Sequence, residues 1–140
     1  MGSTFAVMGA GAVGLSAVMA ARVAGTVTII AVDVLPARLD LAAEPGATHT
    51  ADGREQDAVE EIRRITGEGV DHALDTTGLP PLTGQMIQAL RQRGTTAVLG
   101  AFYGFDQINM TAADAASGRA VKPVLRMAER VVSGDAAVCR

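Results

Sequence analysis

"FAVMGAGAVGLSAVMAARVAG" runs from Phe5 to Gly25 and carries three glycines, Gly9, Gly11 and Gly14, in the order G-x-G-x-x-G. A glycine triplet alone is weak evidence, because glycine also serves ordinary tight turns. The context here is specific. The apolar "TFAVM" (Thr4–Met8) precedes the loop as a buried strand, and an amphipathic helix from about Ala12 to Ala24 follows it. Each glycine then has a separate physical reason. Gly9 permits the sharp turn, Gly11 leaves bare backbone for a pyrophosphate, and Gly14 lets helix and strand pack closely. The N–H groups of Ala12 and Val13, unpaired at the positive end of the helix, would face the phosphates.

The second half of this pattern is an acid about 20 residues further on, at the tip of the next strand. Asp33 stands there, closing "TVTIIAVD". A carboxylate in that place accepts from ribose hydroxyls and repels a 2′-phosphate. Two like charges about 4 Å apart repel by roughly 4 kcal/mol at an effective dielectric of about 20. Val34 follows, where a 2′-phosphate would want Ser or Arg. NAD(H) is therefore favoured over NADP(H) as the cofactor. Arg38, at the start of the next helix, is placed to lie over the ribose or a phosphate.

Bulk properties narrow the class. The 140 residues suffice for one domain with a real core. With 49% hydrophobic and only 3% aromatic residues, the chain suits helices layered on a sheet better than a base-stacking surface. The net charge of −3 argues against nucleic-acid and anionic-membrane partners. Cys139 is the lone cysteine, so neither a disulfide framework nor a thiolate cluster is expected. No apolar run reaches the roughly 18 residues of a membrane span. The start lacks a basic n-region, so no signal peptide is expected and a cytoplasmic location is the default.

The rest of the chain alternates strands with helices. Strands are expected at Thr26–Val32, Ala47–Ala51, Val70–Thr77 and Thr95–Gly100. Helices are expected at Pro36–Glu44, Arg54–Thr66 and Leu82–Arg93, with one last helix at Val124–Gly134. Gly25, Gly46, Gly67 and Gly94 each follow a helix and suit the left-handed C′ position. Such alternation gives right-handed crossovers and an α/β, doubly wound parallel sheet of five to six strands with helices on both faces. One domain, residues 1–140, is the economical reading, with a core at 4–101 and a divergent segment at 102–140.

"VMGAGAVGLSAVMAA", "IIAVDVLPARLDLA", "GATHT", "GEGVDHALDTTG" and "LRQRGTTAVLGA" together resemble the NAD-binding, Rossmann-type domain of zinc-dependent medium-chain alcohol dehydrogenases, particularly the aryl- and benzyl-alcohol types. The resemblance runs from Phe5 to Ala101. It implies a strand order of 3-2-1-4-5-6, Asp33 and Arg38 on the adenosine ribose, and Thr77 and Gly100 near the nicotinamide half. It also implies a catalytic portion lying mainly before the glycine loop, which would carry the zinc and substrate ligands. No zinc site is expected within this chain, because His49, His72 and Cys139 lack metal partners at useful spacing. An oxidoreductase fragment, inactive alone, is the resulting expectation.

The chain departs from the family at Pro45, at Gly84 in a helix, and after Ala101. "FYGFDQINMTAADAASGRAVKP" occupies the place of a sixth strand, through which a homodimer would pair sheet edges. Phe102, Tyr103 and Phe105 cluster there, which keeps open a non-enzymatic nucleotide-binding or oligomerisation module. A third reading is a methyltransferase that binds S-adenosylmethionine, since those enzymes also combine a glycine loop with an acid after the second strand. The strand–GxGxxG spacing and "VDHALDTTG" favour the dehydrogenase.

Overall fold

The computed structural model describes residues 2–99, 101–104 and 123–126. The chain divides into two compact units, residues 1–100 and 101–140. The first unit is built from β1 (Thr4–Met8), α1 (Ala12–Val23), β2 (Thr28–Asp33), α2 (Pro36–Ala42), β3 (His49–Asp52), α3 (Ala58–Thr66), β4 (Val70–Asp75), α4 (Pro80–Ala89) and β5 (Leu90–Val98). In the second unit β6 (Ala101–Gly104) and β7 (Pro123–Arg126) pair in parallel as a sheet of their own.

The five strands of the first unit lie in the order β3-β2-β1-β4-β5, all parallel. This is the doubly wound Rossmann-type order expected for the first five strands. β1 takes the centre because it has no polar side chain to keep wet after Thr4: Ala6, Val7 and Met8 are all buried. Successive side chains of a strand point to opposite faces, and the core divides accordingly. Ala6, Met8, Ile30 and Val32 pack with Val59 and Ile62 of α3 and with Met86 and Ala89 of α4. Val7, Ile29 and Ala31 face the other way and pack with Val18 and Ala21 of α1 and Ala42 of α2. Two cores back to back explain why β1 and β2 read as continuous apolar runs.

Most boundaries of the first unit fall within two residues of the sequence expectation, and three elements depart from it by four or more. Helix α3 begins at Ala58 rather than Arg54, because the Asp57 carboxylate accepts from the N–H groups of Val59 (2.9 Å) and Glu60 (3.0 Å) and caps it. Helix α4 spans Pro80–Ala89, so it starts earlier and stops before Leu90–Arg93, which belong to β5. Its end packs tightly on Gly69, where a Cβ would come within 2.5 Å of the Ala89 oxygen. The guanidinium of Arg63 donates to the Gln88 carbonyl at 2.9 Å and helps to close the last turn.

The third difference lies within β5. Between the pairs Val70↔Leu90 and His72↔Thr95 the register shifts, so Arg91–Gly94 bulge against Asp71 alone. Arg93 takes the left-handed φ of +67° there, in place of Gly94. Gly94 is needed for a different reason: a Cβ on it would lie 2.9 Å from the Val70 oxygen. Gly25, Gly46 and Gly67 do have positive φ, as expected. In the second unit Pro123–Arg126 form a strand, where the helix Val124–Gly134 was expected to begin. The rest of that helix, and most of the segment assigned to a sixth strand and a dimer edge, lie outside the described residues, as does Gly100.

Candidate functional site

The carboxyl ends of β1, β2 and β4 converge on the glycine loop. Gly9 leaves β1 with φ +96°, and its N–H donates to the Val32 oxygen at 2.8 Å. That bond pins the turn to the end of β2. Gly14 sits in the first turn of α1, and a Cβ on it would collide with the Gly9 oxygen. Close approach of helix to strand therefore requires glycine there, whatever its backbone angles. Gly11 differs from both. It is the N-cap of α1 with ordinary extended angles (φ −75°, ψ −171°), and among the described residues no heavy atom lies within 4 Å of where its Cβ would be. Bare backbone at Gly11 thus opens onto free space, with no packing need for glycine.

Helix α1 has no side-chain cap and no acid in its first turn. Its leading N–H groups, those of Ala12 and Val13 among them, have no partner within the helix. The positive end of the helix dipole points the same way. An anionic group placed against Gly11 would meet both.

Asp33 ends β2 beside this loop, and its carboxylate is almost fully enclosed. Oδ2 accepts from the Ala10 N–H at 2.7 Å, while Oδ1 accepts from Val34 at 2.8 Å and Leu35 at 3.0 Å. Arg38, from α2, brings its guanidinium to 3.5 Å from Oδ2 and is itself half exposed. Burial pushes the Asp33 pKa up. The N–H groups of Ala10, Leu35 and Val34 and the charge of Arg38 outweigh it, so the carboxyl is held below its ordinary value. Asp33 is thus an anion fixed in place by the glycine loop and the start of the β2–α2 turn, and Arg38 is its one charged partner among the described residues.

Sequence reasoning singled out Thr77 but not its two predecessors. Asp75 is fully buried at the end of β4. Its Oδ1 accepts from the Thr77 hydroxyl (2.6 Å) and from the N–H groups of Thr77 (2.7 Å) and Gly78 (3.3 Å), and its Oδ2 accepts from the Thr83 hydroxyl (2.7 Å). Thr77 also accepts from the Leu79 N–H at 3.2 Å, so its hydroxyl is engaged in the turn. Its methyl group borders Gly9, lying 3.2 Å from where a Cβ there would stand. Thr76 bonds back to the glycine loop itself. The doubled threonine of "DTTG" was the available signal, but nothing in the sequence shows which hydroxyl turns which way.

His49 and His72 are exposed and sit on different strands, β3 and β4. Among the described residues no three His, Cys, Asp or Glu side chains converge as a metal site would need. No described helix is long and apolar enough to cross a membrane.

A loop that exposes bare backbone to an anion, with a fixed carboxylate one strand away, is the arrangement of a dinucleotide-binding dehydrogenase domain. The family model for zinc-binding dehydrogenases matches residues 12–134, and the chain belongs to that family. A sorbitol dehydrogenase from Bacillus subtilis (strain 168) is 48% identical over 100 residues, which are 71% of this chain and 28% of that protein. The crystal structure of an alcohol dehydrogenase zinc-binding domain protein from Burkholderia ambifaria superposes with a TM-score of 0.69 at 41% identity, over 92% of this chain and 50% of that one. A structure described as a zinc-binding dehydrogenase from Sinorhizobium meliloti 1021, bound to NADP, gives a TM-score of 0.67 at 34% identity, over 69% of this chain and 29% of that one. The chain thus spans about a quarter to a half of the length of these relatives.

Proposed function

We propose that this chain binds NAD(H) across the carboxyl ends of β1 and β2, and that it prefers NAD(H) to NADP(H). The observation that carries the reading is the bond from the Ala10 N–H to the Asp33 carboxylate, which ties the glycine loop and the ribose-binding acid into one unit. In this reading the pyrophosphate lies on Gly11 and on the N–H groups of Ala12 and Val13, with Gly9 and Gly14 shaping the turn. The adenosine ribose donates to Asp33 and displaces or joins Arg38. Asp33 is already ionised and already desolvated, so the ribose hydroxyls meet a prepared acceptor. The same charge disfavours a 2′-phosphate, although one relative in this family was solved with NADP. Thr77 and Gly100 complete the set toward the nicotinamide half.

The bound cofactor supplies a hydride acceptor or donor. The described residues bind and orient it. Oxidation of an alcohol, with zinc and substrate held by residues outside this set, is the activity we assign to the whole protein. The 140-residue chain is expected to bind cofactor and to turn over no benzyl alcohol alone. We place it in the cytoplasm, supported by its sparse cysteine, and as a dimer by family analogy. A thermal shift with NADH, NADPH and S-adenosylmethionine in parallel tests the binding claim. Ligand at 100 times its dissociation constant adds about 2.7 kcal/mol of stability. Stabilisation by NADH above the other two supports the reading; a response to S-adenosylmethionine alone overturns it.

A further inference from the structure

Thr76 is the first residue after β4 and is 3% exposed. Its N–H donates to the Met8 oxygen at 2.9 Å, continuing the parallel ladder. Its hydroxyl lies 3.0 Å from the Met8 oxygen and 3.1 Å from the Gly9 oxygen, and shares its one proton between them. A Cβ on Gly9 would stand 2.5 Å from that hydroxyl. The Gly9 carbonyl therefore bonds to Thr76 and lies close enough to Gly14 that a Cβ there would collide with it.

The Gly9 carbonyl and the Ala10 N–H are the two ends of one peptide plane, and a peptide plane turns as a rigid unit. Thr76 holds the first end, and Asp33 accepts from the second at 2.7 Å. A rotation of that plane would release the Gly9 oxygen from Thr76 and swing the Ala10 N–H away from Asp33. The two bonds are therefore lost together when the plane turns.

We propose that Thr76 is a positioning residue of the dinucleotide site, setting the Gly9–Ala10 peptide plane and through it the aim of the Asp33 carboxylate. The proposal rests on the NAD(H) reading for its consequence, though not for its geometry. Thr76→Val keeps the shape but removes the proton, and puts a methyl carbon about 3 Å from two carbonyl oxygens, closer than ordinary carbon–oxygen contact. Thr76→Ser keeps the hydroxyl.

The test measures NADH affinity and the backbone amide resonance of Ala10 in the full 140-residue chain. Thr76→Val should weaken NADH about tenfold or more, and Thr76→Ser should stay within about threefold of the parent. Without ligand, the Ala10 amide should move in Thr76→Val and return in Thr76→Ser, while the amides of α3 stay in place. If Thr76→Val does not fold, Thr76→Ala removes the hydroxyl without adding bulk and carries both readouts. A valine or alanine variant that folds with an unmoved Ala10 amide and parental affinity overturns the proposal. If the parent binds no NADH, the NAD(H) reading fails, and the Ala10 amide still decides whether Thr76 holds the plane.

Discussion

The carboxylate of Asp33 accepts a 2.7 Å hydrogen bond from the backbone N–H of Ala10, across 23 residues of sequence. This bond joins the tip of β2 to the loop that leaves β1, and it gives Asp33 a structural role beside its proposed one on the ribose. Asp33→Asn tests both. The amide must turn its oxygen either to Ala10 or to Val34 and Leu35, leaving a donor facing a donor on the other side. Such a mismatch in a buried group costs about 1–3 kcal/mol. Urea unfolding should show that loss, and the variant should also lose its preference for NADH over NADPH.

Gly11 and Gly14 should part company under the same substitution. Gly11→Ala meets no neighbour and keeps ordinary backbone angles, so stability should change by no more than about 0.5 kcal/mol. Its methyl group would nevertheless stand where the pyrophosphate is proposed, and NADH affinity should fall about tenfold or more. Gly14→Ala drives a methyl group into the Gly9 oxygen and should cost about 1–3 kcal/mol of folding. Paired urea and NADH titrations separate the two effects.

Acid should destabilise the fold through two aspartates. Asp71 at the start of β4 accepts from the Thr4 N–H (2.8 Å) and hydroxyl (2.9 Å) and pairs with Arg91. The Thr4 N–H chiefly holds its pKa below the ordinary 3.8, against the opposing effect of burial. Asp33 is lowered too. A carboxyl with a depressed folded pKa contributes stability that is fully present above its unfolded value. That contribution is lost as pH falls through the folded one. Unfolding free energy should hold steady down to about pH 5 and then decline below about pH 4. Asp71→Asn should flatten part of that decline.

Two surface positions leave room for improvement. Gly84 lies inside α4, and a Cβ there meets nothing within 4 Å among the described residues, so Gly84→Ala should add about 0.5–1 kcal/mol. Arg93 holds a left-handed φ of +67° that costs a non-glycine residue about 1–2 kcal/mol. Arg93→Gly should recover part of it, whereas Arg93→Val should destabilise. Thermal midpoints of the three variants check both statements.

The glycine loop and Asp33 were legible because their spacing is nearly local: one strand, one turn and one helix separate them. The order of the first five strands followed from the same alternation together with the family resemblance. The bulge at Arg91–Gly94 was not legible, since Gly94 answers to the Val70 oxygen on a neighbouring strand rather than to the helix before it. The α3 boundary was missed for a smaller reason, the capping carboxylate of Asp57 inside a run that also suits a helix. Thr76 was hidden most completely. Its hydroxyl binds carbonyls 67 and 68 residues away, and only the assembled sheet brings them together.

Calorimetric titration of the 140-residue chain with NADH and, separately, with NADPH puts the proposed cofactor site to its plainest trial. A single NADH site is expected, with an NADPH affinity at least about tenfold weaker, as the role proposed for the Asp33 carboxylate predicts. No heat of binding with NADH, or an equal or tighter site for NADPH, would contradict it.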